Sequence, residues 1–243
     1  MLYLVSFDEL WYTRRIESFL PEALEYIVEF DASLSGAGIL WLRRQADGTE
    51  VALRGGAVSL RGLGFGSDSS FQNSAEYIGC TLGMAGLALL GIRDADIEIR
   101  GDSVAAFTWA KTERPRGQIV TKASIVFTLL IILFNLEVKR GVHISGVDNW
   151  RCDRLSRLEE SGRRVSEALK GMGMTETGVI NLQENTQIQT LLACCDPRRG
   201  LEGEEVFLGF WREVRDTLSE IEKTFTNTSN TVVFRPFFRT RTK

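Results

Sequence analysis

An aspartate set into an apolar strand is the first residue of this chain that calls for a chemical explanation. Tyr26-Ile27-Val28-Glu29-Phe30 is β-branched and aromatic, as a strand requires, and Asp31 follows where the apolar run should continue. An ionised carboxylate there is costly unless it is paired or holds a cation. Further acids stand at element ends. Glu76 follows Asn73-Ser74-Ala75 at the head of a helix, where it would serve equally as a first-turn acid favoured by the helix dipole. Asp102 closes the alternating strand Asp96-Ile97-Glu98-Ile99-Arg100-Gly101, at the end where open α/β sheets place ligands, and would serve equally as the N-cap of the next helix. If the fold gathered such carboxylates, their hard oxygens would suit magnesium.

The elements that must position them can be read in order. Ser33, Ser35, Gly36 and Gly38 form a turn of small residues, and Ile39-Leu40-Trp41-Leu42 returns as a second strand, so Asp31 lies in a hairpin. Val51 to Leu60 gives a third strand, whose glycine pair Gly55-Gly56 predicts a bulge; residues 62–70 are a loop. Tyr77 to Leu90 is a helix with Gly79, Gly83 and Gly86 at i, i+4 and i+7, a strip free of side chains that can pack closely on a sheet. A helix is expected from Ser103 to Lys111, a longer one from about Gln118 to Leu136, and a last strand from Glu137 to Ser145. His143, the single histidine, lies inside that strand and reads as a structural residue rather than a base or ligand.

Composition narrows the class. With 243 residues, 44% hydrophobic and 25% charged, the chain can bury an ordinary core as one large or two small domains. A net charge of −3 argues against coating nucleic acid by bulk electrostatics but leaves room for a local basic surface. No signal peptide is evident, and the greasiest run, 123–134, is too short to span a bilayer, so an intracellular protein without a membrane partner is expected. Cys80, Cys152, Cys194 and Cys195 lack zinc-ligand spacing, and a reducing compartment is the default.

The stretch Gly146-Val147-Asp148-Asn149-Trp150-Arg151-Cys152-Asp153-Arg154-Leu155-Ser156-Arg157 resembles the G-x-x-N-x-x-A-D-x-L-S-R ending of the ribonuclease H domain in retroelement reverse transcriptases, with Cys152 for the usual alanine. Phe30-Asp31-Ala32-Ser33, Asn73-Ser74-Ala75-Glu76 and Gly101-Asp102-Ser103 resemble that family's other three motifs in the same order, over residues 25–160. The resemblance implies a ribonuclease H-like α/β fold, a mixed five-stranded sheet flanked by helices. It implies hydrolysis of the RNA strand of an RNA–DNA hybrid by two Mg²⁺ ions, which Mn²⁺ can replace. Asp31 would bridge both ions, Glu76 and Asp102 would hold the one on the leaving-group side, and Asp153 the one that activates water. Asp148, five residues earlier, is set aside by the motif's register. Ser33, Asn73, Ser103 and Asn149 would contact substrate, and Lys111, Arg114, Arg116 and Lys122 would grip the hybrid backbone. Cellular ribonucleases H often carry a loop histidine where Val147 and Asp148 stand here, which implies slow turnover. The rivals are a catalytically silent hybrid-binding or scaffold domain and a DNA-processing nuclease of the same superfamily.

Outside that domain, residues 1–24 read as a connector helix and 161–186 as a linker. Residues 187–243 read as a helical appendage with a basic tail that includes Arg235, Arg239, Arg241 and Lys243. Its main helix, from about Gly203 to Lys223, carries an apolar stripe of Phe207, Phe210, Trp211, Val214, Leu218 and Ile221 that needs a partner, either the main domain or another protein. No Y-x-D-D polymerase motif occurs, so this chain is not itself a complete reverse transcriptase, and the resemblance implies a reverse transcriptase polymerase domain as a partner.

Overall fold

The structure, a computed structural model, describes residues 25–65, 71–112, 120–158 and 164–228, without the side chains of 111–112 and 225–228. The expected connector helix, the loop bearing Arg114 and Arg116, and the basic tail lie outside them. Three antiparallel strands come first: β1 (Tyr26–Ala32), β2 (Gly36–Arg44) and β3 (Glu50–Ser59). Helix α1 (Gln72–Leu89) leads to β4 (Ala95–Gly101), then α2 (Val104–Thr112) and α3 (Thr121–Leu133) lead to β5 (Leu136–His143). Helices α4 (Trp150–Ser156) and α5 (Val165–Gly171), strand β6 (Gly178–Val179), and helices α6 (Thr186–Cys194) and α7 (Glu204–Thr228) follow among the described residues.

The sheet has the order β5-β4-β1-β2-β3-β6, with β4 parallel to both β1 and β5. It is the expected mixed α/β sheet flanked by helices, with a sixth strand added. The addition comes from the segment expected as a linker. There β6 pairs in parallel with β3, and Ala168, Leu169 and Leu182 are buried. Glycines made the segment look unstructured, but its few apolar residues suffice to seat it on β3. The glycine pair Gly55-Gly56 is explained by that seating. A Cβ on Gly55 would meet Leu169 at 2.9 Å, and one on Gly56 would meet Leu182 at 3.0 Å. The expected bulge falls two residues earlier, where Leu53 is the extra residue between the Trp41–Arg54 and Leu42–Ala52 pairs.

Strand alternation sends Val28, Phe30, Ile39 and Trp41 to one face, which α1, α2, α3, α6 and α7 cover. The helix α1 glycines lie on it as the spacing predicts. Cβ atoms would reach Val28 at 2.5 Å from Gly83 and the Trp41 ring at 2.1 Å from Gly86, and the Trp41 indole donates to the Gly83 carbonyl at 2.8 Å. Ile27, Leu40 and Leu42 point the other way, onto α4 and α5. The stripe of α7 is spent within this same chain: Phe210, Val214, Leu218 and Ile221 are buried in the main core with Tyr77 and Phe127. A separate protein docking on 207–221 is therefore not needed to cover it. Among the described residues no helix is long and apolar enough to cross a membrane.

Candidate metal centre

Three of the four acids meet. Asp31 ends the apolar part of β1 on the face toward α4. Glu76 reaches round from the first turns of α1 on the opposite face, and Asp102 follows the last residue of the adjacent β4. Each offers one carboxylate oxygen, and the three oxygens lie within 4.8 Å of one another. Asp31 and Glu76 are buried and Asp102 is exposed. Magnesium binds oxygens about 2.1 Å away and retains several waters, so the spacing and the mixed exposure both fit a hard divalent cation.

Neutral donors hold the two buried carboxylates in place. Asp31 Oδ1 accepts from Asn149 Nδ2 at 3.3 Å, and Oδ2 accepts from Ser156 Oγ at 2.7 Å. Glu76 Oε2 accepts from the Ala32 amide at 3.2 Å and Oε1 from Gln72 Nε2 at 3.0 Å. Gln72 also donates to the Ala32 carbonyl, so the end of β1 and the start of α1 are tied together. These bonds aim the oxygens without supplying positive charge. Burial therefore dominates, pushing Asp31 up to about 7, with Asp102 and Asp153 adding repulsion and Ser156 opposing it. Burial likewise pushes Glu76 up to about 9, helped by the negative charges of Asp31 and Asp102.

Because both folded-state values lie above those of an unfolded chain, the native protein binds the extra protons, and its stability falls as pH rises from about 4.5 to about 9. Divalent cations bind the ionised forms and should reverse the trend. The rise in melting temperature on adding Mg²⁺ is thus expected to be larger at pH 8.5 than at pH 6, as scanning calorimetry would register.

Asp153 stands apart from the trio. Its carboxylate, 42% exposed, accepts from Arg157 Nε at 2.7 Å one helical turn on. It lies on α4, which covers Asp31's face, and is near enough to raise the proton affinity of Asp31. Asp148 closes its own turn, accepting from Ser145 Oγ at 2.7 Å.

The expected substrate contacts fare unevenly. Ser33 is engaged in the β1–β2 turn, where its Oγ accepts from the Gly36 amide at 3.1 Å. Asn73 is exposed near the start of α1, and Ser103 caps α2 by accepting from the Ala106 amide at 3.3 Å. Lys111 is in the last turn of α2, with its side chain outside the described residues, as Arg114 and Arg116 are entirely. Two assignments need correcting. Asn149 is buried and donates to the Phe30 carbonyl at 3.0 Å as well as to Asp31, so it positions the acid and is shielded from substrate. Lys122 is only 3% exposed, and its ammonium donates to the carbonyls of Asp196 and Arg199 between α6 and α7. Its place in the sequence beside a cationic loop suggested a phosphate grip; its burial makes it a tie between core and appendage. Lys122→Met is expected to cost about 2 kcal/mol in urea unfolding while leaving nucleic-acid affinity unchanged. His143 is exposed at the end of β5, its ring 6.4 Å from that of Phe107.

Sequence reasoning missed Gln72 and Ser156. Ser156 lies inside the D-x-L-S-R motif, which was the available signal; Gln72 had none beyond its position four residues before Glu76.

Known proteins add a fold comparison. No family model and no curated protein matches the chain. Among solved structures, it is similar to RNase H1 from the halophilic archaeon Halobacterium salinarum NRC-1, at 21% identity over 57% of this chain and 98% of that one, with a TM-score of 0.43. It is also similar to LC11-RNase H1 isolated from compost by a metagenomic approach, at 18% identity over 58% of this chain and all of that one (100%), with a TM-score of 0.43. The yeast mitochondrial Holliday junction resolvase aligns at 10% identity over 88% of this chain and 90% of that one, with a TM-score of 0.25.

Proposed function

We propose that this chain is a divalent-metal-dependent nuclease that hydrolyses the RNA strand of an RNA–DNA hybrid. The observation that carries the reading is the convergence of Asp31, Glu76 and Asp102 from three separate elements, two of them buried and held, among the described residues, by neutral hydrogen-bond donors. The four motifs read in the sequence support the hybrid as substrate and a retroelement as origin. Asp31, Glu76 and Asp102 would hold one cation between them, and Asp153 would join Asp31 for a second after leaving Arg157. Bound there, Mg²⁺ would supply an activated water and charge stabilisation at the scissile phosphate.

The chain's own residues do the positioning. Ser156 and Asn149 fix the two Asp31 oxygens, while Gln72 and the Ala32 amide fix those of Glu76. Preorganised donors of this kind leave little reorientation to be done when the phosphate arrives. The Arg157 guanidinium, which holds Asp153, would turn toward a phosphate oxygen.

The test is incubation of the purified protein and Mg²⁺ with a labelled RNA–DNA hybrid, duplex RNA and duplex DNA. Cleavage confined to the RNA strand of the hybrid is expected. The hold of Arg157 on Asp153 favours one rival, a binding domain without turnover; hybrid binding that is insensitive to chelator and yields no product would establish it instead.

A further inference from the structure

The rim of the acidic site is apolar on one side. Six large hydrophobic side chains stand exposed among the described residues, and three of them flank the acids: Val104 at 57%, Val147 at 83% and Trp150 at 46%. Val104 is two residues past Asp102. Val147 follows Gly146, from whose Cβ position Asp102 Oδ2 would be 3.6 Å away. Trp150 follows Asn149, the donor to Asp31. Along α4, moreover, Trp150, Asp153 and Arg157 recur at i, i+3 and i+7 on the side away from buried Cys152, Leu155 and Ser156. The two arginines within α4 are turned elsewhere. Arg151 pairs with Glu29 at 3.2 Å, and the Arg154 guanidinium lies 3.4 Å from the Cβ position of Gly171.

Resting on the nuclease reading above, we propose that Val104, Val147 and Trp150 form a substrate-contacting rim, with Trp150 packing its indole against the sugar of a nucleotide adjoining the phosphate held at the acids. Any phosphodiester seated on Asp31, Glu76 and Asp102 carries a sugar on each side, so an apolar side chain at the edge of the site meets a sugar ring first. An indole left half-exposed costs the free protein hydration that such packing recovers. Carboxylates at the floor and an apolar wall beside them would thus divide the work, the first toward the phosphate through cations and the second toward its sugar. Val147, 83% exposed, has little packing to lose, and substitution there acts on the surface.

The experiment measures fluorescence anisotropy of a labelled RNA–DNA hybrid with the full chain, using Ca²⁺ in place of Mg²⁺ to suppress turnover. Trp150→Ala is expected to weaken binding about tenfold and Trp150→Phe to restore most of it, while Mn²⁺ affinity by calorimetry stays at the wild-type value. Val147→Ser, at a position too exposed to affect folding, should weaken binding two- to threefold, about the share of a small apolar contact. Unchanged hybrid affinity in both variants overturns the rim while leaving the nuclease reading intact. If the wild-type protein binds no hybrid at all, both fall. If the variants lose only self-association or capture of another protein, the patch is a protein contact and the proposal is wrong.

Discussion

Asp31→Asn is expected to lower hydrolysis of a hybrid at least about a thousandfold, because it removes one of the three converging carboxylates, and the one whose proton affinity Asp102 and Asp153 both raise. The amide keeps the volume but faces two donors, Asn149 Nδ2 and Ser156 Oγ, with only one acceptor oxygen. Activity and stability should separate in this variant. Wild-type Asp31 carries a buried charge above about pH 7, and the neutral amide does not. Without cations the variant should therefore melt no lower than wild type at pH 8.5, and it should lose most of the Mg²⁺-induced rise in melting temperature. Full cleavage by Asp31→Asn, or an unchanged response to Mg²⁺, would remove the basis of the metal reading.

The second large effect is on the fold. Gly38→Val should destabilise the protein by about 3 kcal/mol in urea unfolding and weaken Mn²⁺ binding at the same time. Gly38 lies in β2, where α4 runs directly over it. A Cβ there would sit 2.3 Å from the Cys152 carbonyl oxygen, 2.5 Å from Leu155 Cβ and 2.5 Å from the Ser156 amide nitrogen. Two of those are backbone atoms, which cannot swing aside, so α4 must lift. When it lifts, Asn149 and Ser156 withdraw from Asp31, and Asp153 moves with them. A variant with normal stability and normal cation affinity would show that the contact between α4 and β2 does not set the site.

This glycine also shows where sequence reasoning reached and where it stopped. Gly36 and Gly38 read as turn residues because small residues cluster at hairpins. They are in fact strand residues, small because a helix backbone rests on them, and only the packed structure distinguishes the two causes. The glycines of α1 were interpretable because their spacing repeats with the helix period, and the acids because each interrupts or ends a clear element. Asn149 and Lys122 were misassigned for a common reason. A polar side chain near other polar residues looks like surface, whereas burial depends on distant chain, here Phe30 for one and the segment around Asp196 for the other. The segment after α4 escaped notice because a two-residue strand and a two-turn helix carry too little periodicity to register.

The burial of Phe210, Val214, Leu218 and Ile221 against the helices that cover the sheet has a consequence for how the protein is made. The acids are encoded before residue 154, yet one wall of the core beneath them is supplied by α7, about fifty residues further on. A nascent chain still on the ribosome would hold Tyr77, Phe127 and their neighbours without that wall, so α7 must emerge before the core closes.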